Sequence, residues 1–140
     1  MRLAALAGAV LTTVALSATT ANATPPSGVT GTIISKTTAG GKDYILREIT
    51  LAAGGTTGWH HHEGTLYALV RSGTLTHNKA DCSIDGIYGP GSVFVEPAGQ
   101  SNIHVGRNLG KTPVVLDVLY VLPEGAPLSV DEPNPGCDFQ

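Results

Sequence analysis

Turn residues punctuate this chain so often that long helices have no room. From Gly28 to Pro127, glycine and proline turns recur at roughly 8–12-residue intervals, the spacing of an all-β sandwich or barrel. The pieces between them are β-branched or alternate apolar with polar. Residues 29–36, VTGTIISK, are a β-branched run that fits a strand. Residues 43–52, DYILREITLA, alternate: Tyr44, Leu46, Glu48 and Thr50 share one face, and Ile45, Arg47, Ile49 and Leu51 share the other. Neither face is purely apolar, so the sequence alone does not say which one turns inward. Residues 65–70, TLYALV, are apolar enough to be buried on both sides, and residues 113–122, PVVLDVLYVL, read as the central strand. About eight or nine short strands and no convincing helix follow, which fits a sandwich or a small barrel.

The N-terminus reads as an address. Arg2 supplies one positive charge, residues 3–18 are almost wholly small and apolar, and Ala21-Asn22-Ala23 is an A-x-A cleavage site. Residues 1–23 are therefore expected to be a secretory signal peptide, and the mature protein extracytoplasmic. The apolar run is shorter than the ~20 residues a membrane span needs. No cysteine at the cut site suggests a lipid anchor, and no later segment is apolar enough to cross a bilayer. Residues 24–140 are then one domain of 117 residues, with a C-terminal tail from about residue 123. Loss of Arg2 takes the formal charge from −3 to −4, seven basic against eleven acidic residues. Without a basic patch, neither nucleic acid nor an anionic membrane is an expected partner. Cys82 and Cys137 are the only cysteines, and in a secreted chain such a pair favours a disulfide over a metal site; two free thiols are the alternative. The bridge would close a 55-residue loop and pin residues 130–140 to the body.

Chemistry concentrates in residues 54–73, GGTTGWHHHEGTLYALVRSG, which hold three of the five histidines. Side chains alternate along an extended segment, so His60 and His62 share a face and His61 takes the other. Two imidazoles so placed reach a single metal ion, and neutral imidazole is a common ligand. Without a metal, the same pattern is a solvated polar strand end. His61 is expected at the surface. His77 has no partner at a ligand spacing and is expected to be exposed, and Trp59 is expected to pack or to line the rim. The glycine-rich stretches do not follow a phosphate-loop pattern, and no Ser-His-Asp arrangement can be drawn.

Gly54, His60-x-His62 and Gly73 resemble the first motif of the cupins, and Gly91, Pro97, Gly99, His104 and Asn108 resemble the second. The resemblance covers about residues 30–122 and has two departures. The glutamate of the first motif would fall at Leu66 or Tyr67, neither acidic, and Glu63 points away from His62 by strand parity. Four residues separate Gly99 from His104 where two are usual, and an even insertion preserves strand parity. The resemblance implies a jelly-roll, or double-stranded β-helix, barrel with a metal in its mouth, held by His60, His62 and His104. Asn102 stands where the usual spacing would place the histidine, and Asn108 matches the turn-stabilising asparagine. Glu96 and Arg107 flank the second motif and are expected to pair with each other at the rim.

The implied cofactor is one divalent transition metal ion: iron, zinc, manganese, nickel or copper. A three-histidine site resembles that of cupins related to thiol dioxygenases, which use ferrous iron without a carboxylate ligand. The cavity is expected to be lined by Leu66, Tyr67, Leu69 and Asn102, with Val93, Val95, Ile103 and Leu119, and to take a small organic molecule. The resemblance implies a metal-dependent dioxygenase or isomerase. The missing carboxylate keeps a non-catalytic metal or small-ligand binding module open as the alternative. A homodimer paired through the sheets is also implied, and no stripe of the sequence marks its interface.

Overall fold

The computed structural model describes residues 22–140. The expected signal peptide falls on residues 1–21, outside the described residues, apart from its last two positions. Ten strands run β1 (Ser27–Ala39), β2 (Lys42–Thr56), β3 (His60–His61), β4 (Thr65–Ser72), β5 (Leu75–Lys79), β6 (Ile84–Tyr88), β7 (Val93–Glu96), β8 (His104–Arg107), β9 (Val114–Pro123) and β10 (Val130–Asp131). Every strand pairing among them is antiparallel, and they wind into a nearly closed jelly-roll barrel. Among the described residues no helix is long and apolar enough to cross a membrane.

The strand order β10-β3-β8-β2-β9-β4-β7 puts β9 between β2 and β4, with β1 added to the outer edge of β2 and β5 joining β8 to β6. β1 and β2 form a hairpin whose two-residue turn is Gly40-Gly41, both with positive φ (59° and 72°). Such turns match the strand twist and need residues free of a Cβ. The strand therefore continues through Thr37–Ala39, beyond the 29–36 run read from the sequence. β2 is long enough to serve both halves of the barrel. Its first ten residues pair with β9, and beyond a bend at Gly54 (φ 74°) its last residue, Thr56, pairs with Arg107 of β8. Asn108 fixes that bend. Its Nδ2 donates to the carbonyls of Leu51, Ala52 and Thr112, and its Oδ1 accepts from the Gly110 amide.

The register settles which faces turn inward. On β2 the buried face carries Ile45, Ile49 and Leu51, so Arg47 sits on the inward parity. On β9 the inward set is Val114, Leu116, Val118, Tyr120 and Leu122. β4 buries Leu66, Ala68 and Val70 but leaves Tyr67 47% exposed, so it is covered on one side only. The expectation of a doubly buried strand fails because, among the described residues, the outer face of β4 at Tyr67 is left open. Leu75, Phe94 and these residues form one core, and each fully buried aliphatic side chain contributes about 1.5–3 kcal/mol.

The C-terminal tail is tied down at several points. Cys82 and Cys137 form a disulfide with Cα atoms 5.5 Å apart. β10 pairs with β3, Val130 opposite His61 and Asp131 opposite His60. Trp59 is fully buried and stacks on Phe139 at 5.9 Å, while the Arg107 guanidinium lies 3.7 Å from the same Phe139 ring. The tail is thus a cover over the histidine strand.

Candidate metal centre

Two strands and one turn bring the imidazoles together. His60 on β3 stands directly opposite His104 on β8. The two extra residues before His104 are absorbed by a 3₁₀ turn, Gln100–Asn102, closed by the Asn102 amide on the Gly99 carbonyl at 3.0 Å. His104 thereby keeps its inward direction. Ring centroids are 4.8 Å apart for His60 and His62, 4.4 Å for His60 and His104, and 5.2 Å for His62 and His104. One nitrogen from each lies within 4.8 Å of the others, and all three residues are buried.

Backbone carbonyls fix the tautomers. Nδ1 of His60 lies 2.8 Å from the Gly58 oxygen, that of His62 2.7 Å from the Leu128 oxygen, and that of His104 2.7 Å from the Asn102 oxygen. A carbonyl only accepts, so each Nδ1 carries a proton, and in the neutral ring each Nε2 then offers a lone pair, the arrangement that orients metal-binding histidines. Burial first, then the charges of His104 and His62, lowers the His60 pKa to about 3, so this imidazole stays neutral. Neutral imidazole is the form that ligates a metal.

A carboxylate completes the cluster, and it is Glu96. Its Oε2 lies 3.1 Å from His62 Nε2 and 3.6 Å from His104 Nε2, and its Oε1 lies 3.2 Å from His77 Nε2. Burial alone would push the Glu96 carboxyl up, but the imidazoles of His104, His62 and His77 around it hold it well below the usual carboxylate range. The buried Nε2 atoms of His62 and His104 are not aligned for a hydrogen bond, whereas His77, whose pKa is raised against the downward push of burial by Glu96 and Asp85, turns a protonated Nε2 toward Glu96 Oε1. Unprotonated nitrogen lone pairs facing a carboxylate repel it unless a cation lies among them. The buried, unpartnered nitrogens and the anionic oxygen therefore fit a transition-metal ion. His77, Glu96 and His104 form a second overlapping group of possible ligands. The two groups share His104, whose one lone pair can serve only one ion at a time.

Several expected placements are corrected. Glu96 does not pair with Arg107; it turns into the barrel on the parity of buried Phe94, while Arg107 reaches Asn78 Oδ1 at 2.9 Å. His77 is buried, on the parity of Leu75, and its Nδ1 is 2.6 Å from Asp85 Oδ1. His61 is also buried, because β10 lies beside it and brings Glu132 Oε1 to 2.8 Å from its Nδ1. Leu66 lines the inner cavity, with Leu75, Phe94, Leu116 and Val118. Tyr67, Leu69, Val93 and Leu119 do not, because their parity directs them to the outer face of the sheet. Val95, Ile103 and Asn102 border a separate polar pocket of about 510 Å³ on the outer side of Glu96 and His104. The Asn102 side chain donates to the Ala98 carbonyl at 2.8 Å.

The chain matches the family described as Cupin domain over residues 37–122 and belongs to it. No curated protein matches it by sequence. Its fold is similar to that of a polyketide cyclase, RemF, from Streptomyces resistomycificus. That structure is 21% identical with a TM-score of 0.62, the match covering 79% of this chain and 78% of that one. A cupin domain from Bordetella pertussis Tohama I is also similar, at 21% identity and TM-score 0.56, covering 67% of this chain and 93% of that one. A recombinant oxalate oxidase solved with glycolate is 24% identical, with a TM-score of 0.56 over 66% of this chain and 50% of that one. At these identities the likeness is one of fold.

Proposed function

We propose that this protein is an extracytoplasmic cupin that binds one divalent transition metal ion through His60, His62, His104 and Glu96, and that it acts on a small organic molecule as an oxygenase or isomerase. The observation that carries the proposal is Glu96. Three imidazoles and one carboxylate are a nitrogen and oxygen donor set suited to iron, manganese, nickel or zinc, and it leaves open positions toward the cavity. The carboxylate missing from the first motif was the main ground for a non-catalytic module, and Glu96 supplies one from a different strand. The signal-peptide pattern of residues 1–23 and the Cys82–Cys137 disulfide support export to an oxidising compartment.

Bound there, the metal would polarise a substrate oxygen or activate a small molecule. The protein's own part is to orient the imidazoles through the carbonyls of Gly58, Leu128 and Asn102, and to keep water out with Leu66, Phe94 and Val118. His77, anchored by Asp85, fixes the Glu96 Oε1 that faces away from the other imidazoles.

The assignment is tested by competing the mature chain against a chelator dye for added metal. Glu96→Ala is expected to weaken binding at least ~10-fold, while Glu63→Ala, whose side chain is exposed, leaves it unchanged. Equal affinity in wild type and Glu96→Ala would remove Glu96 from the ligand set.

A further inference from the structure

Arg47 is a charged residue on an inward face. Its neighbours on that face of β2 are Ile45 and Ile49, both in the core, yet Arg47 is only half-buried. It borders a cavity of about 330 Å³ that also touches His60, His62, Ile49, Tyr120 and Leu128. His60, His62, Ile49 and Tyr120 line the inner cavity too, so this mouth leads directly to the histidines. No carboxylate lines it. Among the described residues Arg47 makes no ion pair. The Tyr120 hydroxyl lines the same cavity, and burial raises its pKa, so the phenol stays protonated.

The guanidinium also has a prepared seat. A Cβ on Gly31 of β1 would stand 2.1 Å, 2.3 Å and 2.4 Å from three of its atoms. Any side chain at position 31 would displace it. A half-buried cation left without a counter-ion in a pocket that no carboxylate lines favours an organic anion, and the planar fork of arginine matches a carboxylate. The polar pocket on the other side of the cluster holds Lys79 but also Asp81 and Asp85, which makes it a poor place for an anion.

We infer that this mouth admits a small organic carboxylate, whose carboxyl group is held by Arg47 and Tyr120 while its carbon skeleton lies against His60 and His62. Resting on the metal reading above for what happens at the inner end, this assignment names the substrate class. The anchor itself needs no metal.

Benzoate and benzamide, equal in shape and different in charge, separate the two claims by calorimetric titration into the mature chain, metal-free and after zinc addition. In the metal-free protein benzoate is expected to bind about tenfold or more tightly than benzamide. Arg47→Gln should bring the two within about twofold of each other. Gly31→Val should do the same with the charge retained, because the β-branched side chain suits a strand while displacing the guanidinium. Thermal melts of both variants show that they fold. Equal binding of the two probes, or a benzoate preference that survives both variants, overturns the inference. A preference lost in both variants, in a protein that takes up no zinc, keeps the anchor and rejects the metal reading instead.

Discussion

Removing the disulfide should both destabilise the fold and disturb the centre. Cys82 and Cys137 are 55 residues apart, and closing a loop of that length removes about 4 kcal/mol of chain entropy from the unfolded state. With a urea m-value of about 1–3 kcal/mol/M, Cys82→Ala/Cys137→Ala should lower the unfolding midpoint by about 1.3–4 M. The same tail carries the Leu128 oxygen that sets the His62 tautomer, the strand that pairs with His60 and His61, and the Phe139 ring against Trp59. Freed from its tether, it should hold His62 less well, and metal affinity should fall by about 10–100-fold, as when a ligand-orienting partner is lost. Urea melts followed by tryptophan fluorescence report directly on Trp59, the single tryptophan. A midpoint shift below about 0.5 M, with unchanged metal affinity, would refute the view that the tail is a tethered cover.

Leu66 and Tyr67 are adjacent but face opposite ways, so Leu66→Ala should cost about 2–5 kcal/mol, while Tyr67→Ala stays within about 0.5 kcal/mol; the reverse order in urea melts would invert β4. Hydrogen bonds to Asp43 from Thr38 first, then from Lys36 and the Gly125 amide, lower its pKa from 3.8 to about 2. The folded value lies below the unfolded one, so this contribution is full above about pH 4 and lost as pH falls toward 2. Asp43→Asn should flatten the stability profile in that window, and a profile that keeps its slope would show that other carboxyl groups carry it. The outer face of the sheet leaves Tyr44, Tyr67, Val93, Val95 and Leu119 at 37–66% exposed. Sedimentation should show a dimer that Tyr67→Asp/Val93→Asp dissociates, and a monomeric wild type would count against pairing through that face.

The barrel was legible because glycine turns and alternation act locally. Gly40-Gly41 closes a hairpin, and the parity of His60, His61 and His62 places two rings together whatever the surroundings. The even spacing before His104 is equally local, since two added residues coil into one 3₁₀ turn without reversing the strand. The inward face of β2 was not legible. Both faces carry a charge, and only pairing with β1 and β9 decides that Ile45, Arg47 and Ile49 point in. Hydrophobicity points Leu69, Val93 and Leu119 to the cavity, but register sends them outward.

Glu96 and His77 illustrate a signal that was present in the sequence. Each lies two residues beyond a core side chain, Phe94 and Leu75, so strand parity puts both inside. A search for ligand spacing within one motif misses them, because their partners come from other strands. The burial of His61 depends on β10, some 70 residues further along the chain, and no local pattern announces that contact.

Metal analysis of the mature chain tests the central claim most directly. The protein is purified from its native compartment beside His60→Ala/His62→Ala, and both are measured by inductively coupled plasma mass spectrometry. About one equivalent of a single transition metal in the wild type and none in the variant is the predicted result. No metal in the wild type, or equal metal in both, would contradict it.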